Sequence, residues 1–90
     1  MLHRYWFKFS SIEPYNSLRM GCGVTARDYD DALSILQETV FIGQEVPTIE
    51  SAVHDVDISS LDEKHVIPNM EPPVWRGVWF PKGYMKAGSL

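Results

Sequence analysis

The sequence predicts an α+β domain of strand, strand, helix, strand, strand, with one antiparallel four-stranded sheet and a single helix packed on one face. Three observations carry this reading. Two N-terminal stretches alternate apolar and polar residues, the period of a half-buried strand. After Asp28 the apolar residues recur every three to four positions, the period of a helix. The second half returns to short apolar runs bounded by serines and prolines. At 90 residues the chain makes one domain, and a domain of this size buries somewhat over ~60% of its unfolded surface.

Residues 2–9 form the first predicted strand, with Tyr5, Phe7 and Phe9 on one face and Arg4, Trp6 and Lys8 on the other. Residues 10–17, Ser-Ser-Ile-Glu-Pro-Tyr-Asn-Ser, carry turn chemistry. Residues 18–26 alternate again, with Leu18, Met20, Cys22, Val24 and Ala26 facing one way and Arg19, Gly21, Gly23 and Thr25 the other. The two strands are expected to pair as a hairpin. Gly21 and Gly23 then leave room for a large neighbour, and Trp6 is the candidate to lie across them.

Asp28 reads as a helix N-cap, and Asp30 and Asp31 complement the dipole in the first turn. Tyr29, Ala32, Leu33, Leu36 and Val40 form the stripe that faces the sheet, and Gly43 is the expected stop. Residues 52–58 are expected to form a third strand, and Ser59–Lys64 a turn anchored by Leu61. The segment 68–73 contains three prolines and reads as an extended, rigid connection. Residues 74–80, Val-Trp-Arg-Gly-Val-Trp-Phe, are apolar on both faces except at Arg76, which predicts a central last strand. The domain is expected to span residues 1–84, with 85–90 as a disordered tail.

Composition narrows the compartment. A single cysteine forbids an internal disulfide. The first residues lack the apolar stretch and cleavage site of a signal peptide, and no apolar run approaches the ~20 residues that a membrane span requires. The expected location is the cytoplasm, with no membrane association.

The net charge of −4 conceals a strong segregation. Residues 1–27 hold four bases and one acid, residues 28–71 hold eleven acids and one base, and residues 72–90 hold three bases. Between Asp28 and Glu63 there is neither lysine nor arginine. Such a block repels phosphate and attracts cationic partners. The competing reading is an acidic segment that pairs with the basic strands of its own fold.

Few residues suggest chemistry. Cys22 falls on the apolar face between Met20 and Val24, where a thiol behaves as a small hydrophobe, and a thiolate would need a base or cation beside it. Three carboxylates in four residues at the helix start deny it the bare amides of a phosphate site. His3, His54 and His65 with Asp55, Asp57 and Asp62 offer metal-binding side chains, but His54-Asp55-x-Asp57 is not a recognised ligand spacing, and on a strand His54 points away from Asp55 and Asp57. Neither a metal, another cofactor nor a catalytic residue is therefore assigned. Trp75, Trp79 and Phe80 beside Arg76 could stack nucleobases, yet the acidic balance argues against nucleic acid. One helix on a four-stranded sheet leaves the second face open, which places Trp6, with Arg4, Lys8 and one of Trp75 and Trp79, in an exposed aromatic patch; the competing reading is that the loops at 44–52 and 64–73 fold over it.

The stretches RYWF, GCGVTA-x-DYDDAL and RGVWFP resemble those of small uncharacterised bacterial α+β proteins. In size, acidity and build the chain is also similar to the immunity proteins encoded beside bacterial toxins, including those of contact-dependent inhibition systems. That resemblance implies a protein-binding module that occludes a cationic toxin, often a nuclease. The partner-binding residues expected from the acidic segment are Asp55, Asp57, Asp62 and Glu63, with Asp30 and Asp31 behind them and Trp6 on the open face. The first alternative is a homodimeric structural or regulatory domain that pairs through that face. The second is a small thiol- or metal-dependent enzyme.

Overall fold

Alternation of apolar side chains builds the sheet first. In the computed structural model, which describes residues 1–10 and 16–84, β1 spans His3–Phe9, β2 Cys22–Ala26, β3 Ile49–His54 and β4 Gly77–Phe80. All neighbours are antiparallel, and the order across the sheet is β3-β1-β2-β4. The hairpin expected from the two N-terminal strands is present, with Tyr5 opposite Val24 and Phe7 opposite Cys22. The chain is an α+β fold with one helix, α1 (Tyr29–Glu38), against the sheet. The expected tail 85–90, and 11–15 of the expected turn, lie outside the described residues.

Boundaries moved where side chains compete with the ladder. Residues 17–20 form a short 3-10 turn rather than the start of β2, because the Asn16 side chain accepts a hydrogen bond from the Leu18 amide. Against the expected 52–58, β3 ends at His54, since Asp55 adopts a φ of +54° that breaks the pleat. Only Gly77–Phe80 of the predicted last strand is strand, and it lies at an edge of the sheet instead of its centre. Its two apolar faces reflect cover on both sides of the sheet, not a neighbour on both edges.

Asp28 caps α1 as expected, accepting from the Asp31 amide at 2.7 Å. The helix buries Ala32, Ile35 and Leu36 against Tyr5, Phe7, Phe9, Cys22, Val24, Ala26 and Val78. Ile35 thus belongs to the buried stripe, whereas Tyr29 sits at its rim against Tyr5 and Phe7. Regular helix stops at Glu38, five residues before Gly43. The Thr39 hydroxyl donates back to the Ile35 carbonyl, and the Gln37 amide donates to the carbonyls of Phe41 and Gln44. The chain turns away at Gly43, where φ is +74°.

The second face of the sheet is not open. Trp6, Trp79 and Phe80 are buried there beneath Val56 and Val66, with Met20, Ile58, Leu61 and Met70 packed around them. One shift of register explains why Trp79 and Phe80 share this face: Gly23 pairs with Phe80 while Val24 pairs with Val78, so β4 carries an extra residue. The cover is tied to the sheet at both ends. The Val56 amide donates to the Arg4 carbonyl and the Glu71 amide donates to the Trp79 carbonyl. Both glycines of β2 and its approach make room for these rings. A Cβ at Gly21 would meet the Trp6 indole, and one at Gly23 would meet Trp79. Trp6 was expected to lie across both glycines, and instead two tryptophans share the task, stacked with centroids 5.8 Å apart. Among the described residues no helix is long and apolar enough to cross a membrane.

Candidate functional site

The acidic segment divides into two groups on opposite sides of the sheet. Asp57, Asp62 and Glu63 are exposed on the cover that overlies the tryptophans, while Asp55, also exposed, stands at the end of β3 with its carboxylate turned to the histidines of the helix-side face. Asp30 and Asp31 lie in the first turn of α1, on the helix side. The sheet separates Asp57, Asp62 and Glu63 from Asp30 and Asp31.

Asp31 is a structural residue. Its two oxygens take the Arg76 Nη2 and Nε at 2.6 and 3.0 Å, a bidentate pair that ties the helix start to the approach to β4. The Arg76 hydrogen bond holds its carboxyl down at about 2, and its side chain is only 14% exposed. Asp31, expected among the partner-binding residues, has its carboxylate engaged by Arg76. Trp6, expected on an open face, is only 6% exposed under the cover. The sheet face through which a homodimer was expected to pair is likewise covered. Asp30 remains exposed and has no ion pair among the described residues.

On the cover, local capping holds the carboxylates in place. Asp57 accepts from the Ser59 amide and hydroxyl at 3.0 and 2.7 Å. Asp62 accepts from the amides of Lys64 and His65 at 2.8 and 3.0 Å, and its second oxygen lies 3.1 Å from the His65 Nδ1. The Ser59 hydroxyl and amide lower the pKa of Asp57, and the His65 ring, followed by the two amides, lowers that of Asp62. Both are ionised at neutral pH. Among the described residues Arg76–Asp31 is the one pair between a carboxylate and a lysine or arginine. Internal pairing with the basic strands therefore does not account for these acids.

At the end of β3 lies a cluster of different chemistry. His3 and His54 project from the helix-side face of two adjacent strands, on a diagonal, since His54 pairs with Tyr5. Their rings meet edge to face with centroids 4.8 Å apart. Asp55 was expected to point away from His54, as alternation in a strand requires. Its positive φ instead turns the carboxylate back, so that Oδ1 lies 2.9 Å from the His3 Nδ1 and Oδ2 lies 3.5 Å from the His54 Nε2. The hydrogen bond with His3 is the main cause of a lowered Asp55 pKa. A ligand atom from each of the three residues lies within 4.8 Å of the others. No spacing in the sequence announces this trio, because His3 and His54 are brought together by strand pairing alone.

Two further residues bear on the function. Trp75 is 49% exposed in the turn before β4, beside exposed Val74, so the solvent-facing tryptophan is Trp75 and not Trp6. Cys22 is fully buried on the helix side of β2, and burial pushes its thiol far above the ordinary range. A protonated thiol without solvent access is a core side chain rather than a nucleophile.

A scan against protein-family models and searches of curated proteins and of solved structures found no match to the chain. The functional reading therefore rests on its own residues.

Proposed function

We propose that the chain is a protein-binding module that docks a basic protein through the carboxylates of its cover, in the manner of an immunity protein that occludes a toxin's phosphate-binding site. The supporting observation is that Asp57, Asp62 and Glu63 are exposed and none is paired with a lysine or arginine among the described residues. A surface of this sign steers a cationic partner and speeds encounter. The cover also presents its charges on a fixed backbone. Val56, Ile58, Leu61 and Val66 anchor it to the tryptophan cluster, and Asp57 and Asp62 cap their own turns. Little order has to be gained on binding, which preserves affinity.

The test exploits the capping. Asp57→Asn, Asp62→Asn and Glu63→Gln together remove three charges and leave side chains that still accept the local hydrogen bonds. The immunity reading expects a basic toxin domain in the adjoining reading frame, and that domain is the partner to use. The triple variant is expected to melt close to the wild type and to associate at least roughly tenfold more slowly at low salt, with a weaker dependence on ionic strength. Undiminished neutralisation of that toxin by the triple variant would sink the reading.

A further inference from the structure

We propose that His3, His54 and Asp55 form a binding site for a divalent first-row transition metal ion of the zinc class. The donor set comes first: two imidazole nitrogens and one carboxylate oxygen suit zinc, cobalt, nickel or copper and disfavour magnesium and calcium, which take oxygen. The spacing is within reach. Zinc bonds of ~2.0–2.1 Å in a tetrahedron put neighbouring ligand atoms about 3.3 Å apart. Asp55 meets the rings through different oxygens, Oδ1 at 2.9 Å from His3 and Oδ2 at 3.5 Å from His54, and one ligand atom from each residue lies within 4.8 Å of the others, so coordination has to draw the set in by up to about 1.5 Å. Three protein ligands leave further positions for water.

The surroundings support coordination. The His54 ring is stacked on Tyr5, with centroids 4.9 Å apart and planes 12° from parallel, which fixes the imidazole plane as an outer-shell partner does. His3 is half-buried, while His54 and Asp55 are about as exposed as each other and open a path from solvent. The opposing charge is Arg4, which shares a shallow groove with Asp55 on the far side. Metal entry replaces the His3–Asp55 hydrogen bond by two coordinate bonds and requires both rings neutral at their ligating nitrogens. A structural role for the trio, as a clip between β1 and the end of β3, is the competing outcome.

Zinc sulfate titrated into the full chain by calorimetry distinguishes the two. One saturable site per chain is expected, weakened roughly tenfold or more in His54→Ala and in Asp55→Asn. Asn tolerates the positive φ at position 55, so the second variant removes the charge without straining the turn. His65→Ala, which disrupts the other His–Asp pair, should bind zinc as the wild type does. Should a variant fold poorly, the wild-type chain decides alone: zinc must raise its melting temperature and shift the ring-proton resonances of His3 and His54 together. Absence of saturation up to millimolar zinc, or affinity unchanged in both ligand variants, would overturn the site and leave the clip.

Discussion

Both faces of the sheet bury aromatic and aliphatic side chains, by different means, and the helix side holds the larger cluster. On one, α1 lays Ala32, Ile35 and Leu36 over Tyr5, Phe7 and Val24. On the other, a segment with two short 3-10 turns and no regular helix or strand lays Val56, Ile58, Leu61, Val66 and Met70 over Trp6, Trp79 and Phe80. The helix satisfies its own backbone, and its acids serve the fold, Asp28 as a cap and Asp31 as the partner of Arg76. The irregular cover has to borrow partners. It takes backbone bonds from β1 and β4 and caps its turns with Asp57 and Asp62. The two layers therefore differ in how they use their acids: the helix layer engages Asp28 and Asp31 in the fold and leaves Asp30 exposed, whereas the cover shows Asp57, Asp62 and Glu63 to solvent.

The largest effect expected from this comparison is at the centres of the two clusters. Trp79→Ala and Leu36→Ala each remove a fully buried side chain, and costs of about 3–5 and 2–5 kcal/mol are expected. Chemical denaturation measures both. Comparable losses in a single transition would mean that the cover folds with the domain. A loss at Trp79 below about 1 kcal/mol would mean that the cover opens by itself.

A smaller effect separates the two ways in which glycine is used. At Gly23 a methyl would enter the Trp79 ring, and Gly23→Ala should cost about 3 kcal/mol, with much less added cost in a Trp79→Ala background. Gly43, on the helix side, has open space around it and a φ of +74°. Gly43→Ala should therefore cost about 1 kcal/mol of backbone strain, whatever happens at Trp79. Equal costs, or full additivity at Gly23, would show that the ring does not rest on that glycine.

The Asp31–Arg76 pair sharpens the comparison through pH. Arg76 lowers the folded-state pKa of Asp31 to about 2 from an ordinary 3.8. A depressed carboxyl stabilises the fold above the unfolded value and loses that contribution as pH falls through the folded one. Stability should therefore drop by about 1–2 kcal/mol between those two values, after allowance for the partial exposure of Arg76. Asp31→Asn should be less stable at neutral pH and show a shallower fall over that acid window in pH-dependent melting. An unchanged acid slope in Asp31→Asn would assign the drop to the capping acids of the cover.

How legible each part was follows from its periodicity. The sheet hairpin and α1 could be read as elements, though not to their ends, because regular backbone repeats every two or 3.6 residues and the apolar pattern must repeat with it, whereas capping side chains decide where each stops. The acids of the cover were legible as a charge block, and Asp57, Asp62 and Glu63 are exposed as the block suggested. Their structural counterpart was not: nothing local distinguishes Asp31 from Asp30 until Arg76 arrives from 45 residues away. Trp6 is buried where an exposed face was expected, because strand alternation gives a side chain a face and says nothing of what lies over it.

The sequence by itself determined the antiparallel α+β plan, the cap at Asp28, the apolar place of Cys22 and the need for large side chains over Gly21 and Gly23. All are properties of near neighbours along the chain, where sterics and alternation act over a few residues. Tertiary structure alone decided that an aperiodic segment closes the second face, that β4 lies at an edge, and that His3, His54 and Asp55 meet. These depend on strand order and on a single positive φ at Asp55. Contacts between residues some 50 positions apart arise from the packing of whole elements, which no local pattern encodes.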